Sequence, residues 1–292
     1  MSLTTGDFSG KVTVHTLSGK KQKHERIASL TAYDYAMARL ADEAGIEMIL
    51  VGDSLAQVML GYENTLPVTM EEMLHHTRAV HRGVKRAFLV ADMPFGSYLT
   101  EEEALGNAAR FVQNGAEAVK LEGGCRRAKM VHRLIEAEIP VVGHIGLTPQ
   151  SVHTMGGYKV QGKTLSAVEQ LMADAVALDE AGVCALVLEG IPREVAAEIT
   201  ARVATPTIGI GAGPECDGQI LVLHDLLNLT FSPAAKFVRR YADAAGLIGG
   251  AVAQYCQEVK AGSYPADAES YHLPKETQAK MHLDGKKAVN GQ

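Results

Sequence analysis

No two cysteines in this sequence are spaced as CxxC: the four, Cys125, Cys184, Cys216 and Cys256, stand far apart among 292 residues. That spacing excludes a zinc ribbon and a dithiol redox motif, and separate thiols suit a reducing compartment, so a cytoplasmic location is expected. No run of about 18 apolar residues is present, so no membrane span is expected. The first 25 residues are mostly polar and hold no apolar segment of the kind a signal peptide needs. Basic runs are missing as well, and the formal net charge of −6 argues against nucleic acid as a partner. His75, His76 and His81 fall on one predicted helix, but HExxH is absent and a solvated face is expected. Gly209-Ile-Gly-Ala-Gly213 is GxGxG followed by Pro214, late in the chain, and not the GxGxxG of a first Rossmann turn. Its glycines are expected to serve tight turns or close backbone approach.

What is present is one unit, repeated. Short apolar runs occupy 27–32 (IASLTA), 48–53 (MILVGD), 87–92 (AFLVAD), 118–122 (AVKLE), 139–144 (IPVVGH), 184–189 (CALVLE), 206–210 (PTIGI) and 225–231 (DLLNLTF). Runs of this length, apolar throughout, suit strands of a parallel sheet buried on both faces. Helical signals fill the gaps. Thr69–Glu72 and Thr100–Glu103 are capping boxes; the first opens a stripe of Met70, Met73, Leu74, Thr77 and Val80 that stops at Gly83. The second opens Leu105, Ala108, Phe111 and Val112, with Gly115 as the stop. Ser166–Glu169 reads as a third box, before Leu171, Ala175 and Leu178. Pro192 stands where a first helical residue belongs. Eight strand–helix units match an α/β chain of the (β/α)8 TIM-barrel type better than an open doubly wound sheet. A single domain is expected: an N-terminal segment over 1–25, the catalytic barrel with C-terminal helices over 26–265, and a polar tail over 266–292, loosest from 275 onward.

Several runs stop at a charged residue. In such a barrel the site forms at the carboxyl ends of the strands. Asp53, Asp92, Glu122 and Glu189 all fall at or just past such ends, as do Lys120 and His144. One aspartate at a strand–helix junction is ordinarily a helix N-cap. Four acids are better read as one rim, because Ser54 and Thr100 can supply caps of their own. Two unit charges ~4 Å apart repel by about 4 kcal/mol at an effective dielectric of ~20, so carboxylates that share a rim raise their pKa values or bind a cation. Oxygen ligands without cysteine favour Mg2+. Asp53 and Asp92 are the expected direct ligands, with Glu122 acting directly or through water. Such an ion chelates a 2-oxo acid and stabilises the enolate left when a neighbouring C–H loses its proton. Glu189 is placed as the general base. Lys120 can hold the substrate carboxylate or the developing charge, and His144 can donate to the same oxygen. The plainer alternatives are a lysine snorkelling from a strand end and an ordinary half-buried histidine. The run from Ile145 to Thr164 is a long loop, suited either to covering a site or to packing between subunits.

The segments AYDY (32–35), VGDSL (51–55), TLPVT (65–69), ADMPF (91–95), VKLEGG (119–124), GHIGLTPQS (143–151), GGYKVQG (156–162) and GIGAG…DGQIL (209–221) together resemble the 3-methyl-2-oxobutanoate hydroxymethyltransferase (ketopantoate hydroxymethyltransferase) family, in order from about Ala32 to Pro265. The resemblance implies a Mg2+-dependent cytoplasmic barrel enzyme of pantothenate biosynthesis. It implies transfer of a hydroxymethyl group from 5,10-methylenetetrahydrofolate to 3-methyl-2-oxobutanoate, giving 2-dehydropantoate. By position it implies metal ligation by Asp53, Asp92 and Glu122, and oxo-acid contacts from Asp53, Ser54, Asp92 and Lys120. Glu189 then matches the proton acceptor and His144 a supporting residue. A homodecamer is the family's assembly. Two rivals stand beside this reading. A metal-dependent carbon–carbon lyase or mutase would use the same chemistry but carries a KKCG-like cysteine loop, absent here. A barrel without activity would have lost one of Asp53, Asp92 or Glu189, and all three are present.

Overall fold

The computed structural model describes residues 10–281. Eight parallel strands close into a barrel in sequence order, with the last hydrogen-bonded to the first. They are β1 (Ile27–Thr31), β2 (Met48–Val51), β3 (Phe88–Asp92), β4 (Ala118–Glu122), β5 (Val141–Gly146), β6 (Ala185–Glu189), β7 (Thr207–Ile210) and β8 (Gly218–Leu221). The (β/α)8 expectation is met. No helix among the described residues is long and apolar enough to cross a membrane.

Strand parity sorts the core into two layers. Met48 and Leu50, Phe88 and Val90, Ala118, Val142, Val187 and Ile208 fill the barrel interior. Their alternates Ile49, Val51, Leu89, Ala91, Val119, Leu121, Leu186 and Leu188 face the surrounding helices. Successive side chains on a strand point to opposite faces, so one slip in register would exchange the layers. The interior is closed at the strands' amino ends by helix Val14–Gln22, whose Leu17 is fully buried with Val12 in the interior cluster. Val12 N–H donates to the Arg86 carbonyl just before β3, which ties this helix to that end of the barrel.

The helices form where capping and stripe coincide. Thr69 and Glu72 make a reciprocal box at the start of Met70–Gly83, which buries Met73, Leu74, Thr77 and Val80. Thr100 and Glu103 do the same for Glu101–Gln113, burying Ala104, Ala108 and Phe111, while Val112 is exposed. The third expected box is corrected. Thr164, not Ser166, caps helix Leu165–Ala181, because its extended backbone lets its hydroxyl accept from Ala167 N–H. Pro192 sits one place earlier than expected, at the cap of Arg193–Arg202.

The eighth strand is also corrected. Residues 225–231 do not form it: Leu223–Leu226 is a single helical turn, and Asn228 with φ +57° ends it. The strand is Gly218–Leu221, paired to β7 and β1. It carries one apolar pair, and Gly218 is required, since a Cβ there would run into the Ile27 carbonyl of β1.

The chain divides into two compact units, one to Ala242 holding the barrel and one from Asp243 onward. In the second, helix Ala244–Ala261 is capped by the Asp243 side chain and stopped by a left-handed Gly262. None of its residues is buried. Residues 275–281 are helical, and the rest of the expected tail, 282–292, lies outside the described residues, as do residues 1–9 of the expected N-terminal segment.

Candidate active site

The parity that builds the core also builds the site. Phe88–Val90–Asp92, Ala118–Lys120–Glu122, Val142–His144 and Ala185–Val187–Glu189 each follow one face of a strand inward. The last member of each stands at the carboxyl end. Register pairs Asp92 with Lys120 and Glu122 with His144. Asp53 follows β2 through Gly52. A cavity of about 380 Å³ opens there, lined by Asp53, Ser54, Asp92, Lys120, Glu122, His144 and Glu189. All seven expected site residues therefore meet in one place.

Their contacts form a chain. Lys120 Nζ lies 2.9 Å from Asp92 Oδ1, 3.9 Å from Glu122 Oε1 and 3.3 Å from His144 Nδ1. His144 Nδ1 is 3.5 Å from Glu122 Oε1, and its Nε2 reaches Glu189 Oε2 at 3.2 Å. Ser54 Oγ shares a hydrogen bond of 2.8 Å with the buried Tyr33 hydroxyl. All but Ser54 and Glu189 are buried; Glu189 keeps 17% of its side chain exposed, enough to meet a ligand.

Three carboxylates each have one oxygen held by the protein. Asp92 Oδ2 accepts from Asp53 N–H at 3.2 Å. Asp53 Oδ2 accepts from the Gln150 amide at 2.9 Å, and Glu122 Oε2 from the Gln150 backbone N–H at 3.0 Å. The opposite oxygens of Asp92 and Glu122, and His144 Nε2, are buried without a hydrogen bond of good geometry. Each of these atoms meets only a charged neighbour of the cluster, Lys120, His144 or Glu189, so the two carboxylate oxygens keep lone pairs that a ligand can use.

The charges agree. Burial, then Glu122, pushes the Asp53 pKa up despite Lys120. Burial and Asp53 hold Asp92 at about 7 against the pull of Lys120. Burial lowers the Lys120 pKa, but Asp92, Glu122 and Asp53 outweigh it and the net shift is upward. His144 is pulled down by burial and by Lys120, yet Glu122 and Glu189 carry it to about 9. Four carboxylates face at most one ammonium and one imidazolium, so at full ionisation two negative charges stay unbalanced. A divalent cation fits that deficit. Among the described residues, no three of His, Cys, Asp and Glu are spaced to hold an ion together. The donors that line the cavity are carboxylate oxygens, the chemistry Mg2+ prefers; that ion takes one or two carboxylates and completes its shell with water and substrate oxygens.

The long loop after β5 forms one wall: Leu147, Pro149 and Tyr158 line the cavity. Its helix-free start depends on Gly146, at φ +97°, where a Cβ would run into the Glu189 carbonyl. Gly146→Ala is expected to cost about 2–4 kcal/mol from the combined strain and overpacking and to displace Glu189. Denaturant melts and turnover measured together check it. The other end of the cavity is apolar, with Ile210, Ile220, Val222, Pro233 and Phe237, and carries one carboxylate, Asp225. Phe237 packs on Gly211 of the GxGxG run, so these glycines serve close approach, as expected. His76 Nδ1 bonds the Tyr33 carbonyl at 2.6 Å, while His75 and His81 are exposed.

A closed parallel barrel with acids and a buried lysine at its strand ends is the architecture of (β/α)8 enzymes. Solved structures agree on the fold. Phosphonopyruvate hydrolase complexed with oxalate and Mg2+ superposes with a TM-score of 0.58 at 13% identity, over 96% of this chain and 99% of that one. 2,3-Dimethylmalate lyase, a PEP mutase/isocitrate lyase superfamily member, gives 0.57 at 17%, over 96% and 98%.

Sequence comparison narrows the class. The ketopantoate hydroxymethyltransferase family model matches residues 11–267. The 3-methyl-2-oxobutanoate hydroxymethyltransferase of Koribacter versatilis (strain Ellin345) is 71% identical, covering 97% of each chain. That of Thermoanaerobacter sp. (strain X514) is 54% identical, over 91% of this chain and 97% of its own. The chain belongs to the ketopantoate hydroxymethyltransferase family and is an enzyme, a hydroxymethyltransferase.

Proposed function

We propose that this enzyme adds the one-carbon unit of 5,10-methylenetetrahydrofolate to 3-methyl-2-oxobutanoate and releases 2-dehydropantoate, the reaction that serves pantothenate biosynthesis. The names of the relatives support the oxo acid. The observation that carries the chemistry is the buried cluster of Asp53, Asp92, Lys120, Glu122 and His144 beside the partly exposed Glu189. An oxo acid needs a base near its acidic C–H and positive charge near its oxygens, and this cluster offers both.

Asp53 and Asp92 would hold Mg2+, with Glu122 acting directly or through water; the bound ion supplies positive charge to oxygens that gain negative charge. Glu189 accepts the C3 proton, and the electrons of that C–H bond pass toward the keto oxygen. Lys120, held at 2.9 Å by Asp92, stays charged and faces the anionic end of the oxo acid. Ser54 adds a hydroxyl from the loop after β2. His144 bridges Lys120 and Glu189 and orients the base. C3 then forms a bond to the methylene carbon of the folate, both bonds from that carbon to folate nitrogens break, water supplies the hydroxyl, and the two nitrogens take up the C3 proton and the remaining proton of that water. One water is consumed, and tetrahydrofolate leaves. The apolar end of the cavity, with Phe237 and Pro233, suits the planar co-substrate. The enzyme acts in the cytoplasm as a homo-oligomer, a homodecamer by analogy with its family, without nucleic acid or membrane as partners.

NMR of the chain mixed with both substrates and Mg2+ tests this. Equal amounts of 2-dehydropantoate and tetrahydrofolate are expected. Turnover of neither substrate would overturn the assignment.

A further inference from the structure

One buried residue not singled out from the sequence holds two of the site's carboxylates. Gln150 sits in the short 3-10 turn Pro149–Ser151, opened by a proline and closed by Ser151 N–H donating to the Thr148 carbonyl. Only 7% of it is exposed. Its amide nitrogen donates to Asp53 Oδ2 at 2.9 Å and to the Met93 carbonyl at 3.0 Å. Its backbone N–H donates to Glu122 Oε2 at 3.0 Å. Its amide oxygen accepts from the Tyr98 hydroxyl.

This network admits one orientation of the amide. A flip would set the amide oxygen against both a carboxylate and a carbonyl, and would give the Tyr98 hydroxyl a donor to face. Tyr98 is itself fixed. It is buried, its hydroxyl accepts from Glu122 N–H at 3.4 Å, and the Arg127 guanidinium lies 4.9 Å from its ring centre. Burial keeps this phenol protonated, so it remains a donor.

We propose that Gln150 is a positioning residue of the cation and oxo-acid site. It holds one oxygen of Asp53 with its side chain and one of Glu122 with its backbone, and Tyr98 locks the amide that does so. The loop after β5 thereby becomes part of the ligand shell's support. This rests on the reading of Asp53 as a ligand of the divalent cation.

Mn2+ is the probe, with binding followed by the loss of the free-ion EPR signal on the full chain. Gln150→Met keeps the volume and the backbone N–H but loses the amide. Its Kd for Mn2+ is expected to rise about 10- to 100-fold, the usual effect of removing an outer hydrogen bond to a metal ligand. Tyr98→Phe removes one oxygen atom and is expected to weaken binding in the same direction, by less. Turnover in both variants should recover as Mn2+ is raised to saturation. A merely structural role would lower the unfolding temperature and the number of binding sites, but not the affinity of those remaining. Wild-type affinity in folded Gln150→Met overturns the proposal. If that variant does not fold, wild-type affinity in Tyr98→Phe overturns it instead. Weak binding in Gln150→Met with wild-type affinity in Tyr98→Phe overturns the lock. A wild-type chain that binds no Mn2+ overturns the cation reading, and this proposal with it.

Discussion

Glu189→Gln is expected to lower kcat about 10²–10⁴-fold while leaving the fold intact. The amide matches the carboxylate in shape but cannot accept a proton at catalytic cost. Glu189 is the one acid of the cluster that is partly exposed, so its replacement strands no buried partner beyond His144 Nε2 at 3.2 Å. Stability should therefore change by no more than about 1 kcal/mol. Oxo-acid binding should survive, because Lys120, Asp53 and Asp92 remain. A steady-state assay, paired with calorimetric binding of the oxo acid, separates the two effects. Turnover near that of the wild type would remove Glu189 from the proton transfer.

Lys120→Met is expected to damage both stability and rate. Lys120 is 4% exposed and, among the described residues, carries the only ammonium in contact with Asp92 and Glu122. Taking one partner from a buried ion pair typically costs about 3–5 kcal/mol, since the remaining charge stays buried. Here two carboxylates are left. The rate should fall about 10²–10³-fold, the usual consequence of losing one group that stabilises developing negative charge. Lys120→Arg should not restore it, because a planar guanidinium cannot occupy the place of a point charge 2.9 Å from Asp92 and 3.3 Å from His144. Urea melts and kcat/KM for the oxo acid check both parts. A stable variant of normal rate would mean that Lys120 only fills space.

The site was legible in the sequence because strand parity is simple. An apolar run that ends on an acid, repeated around a parallel barrel, can only deliver those acids to one rim, and Asp92, Lys120, Glu122, His144 and Glu189 follow that rule. Strand eight shows its limit. Gly218–Leu221 is short, half polar and held by backbone pairing, so it gives no apolar signal. Residues 225–231 give that signal and form a helical turn and a loop instead. Gln150 was missed for another reason. It lies in the quoted segment GHIGLTPQS, but a glutamine in a loop carries no periodic mark. Its value comes from three partners, Asp53, Met93 and Tyr98, brought together only by closure of the barrel. Helix Val14–Gln22 likewise reads as polar, since a single residue, Leu17, is buried.

The fold likeness to lyases and hydrolases, at 13–17% identity, does not distinguish the chemistry of this chain from theirs. The rival lyase reading predicts cleavage of 2-methylisocitrate-type substrates. The hydroxymethyl-transfer reading predicts none.

Loss of the C3–H signal of 3-methyl-2-oxobutanoate in D2O, followed by proton NMR with no folate present, tests the account most directly. Wild-type enzyme with Mg2+ should exchange that hydrogen, and exchange should stop in EDTA and in Glu189→Gln. Exchange that continues undiminished under either condition would show that these carboxylates do not make the carbon acid labile, and the account would be wrong.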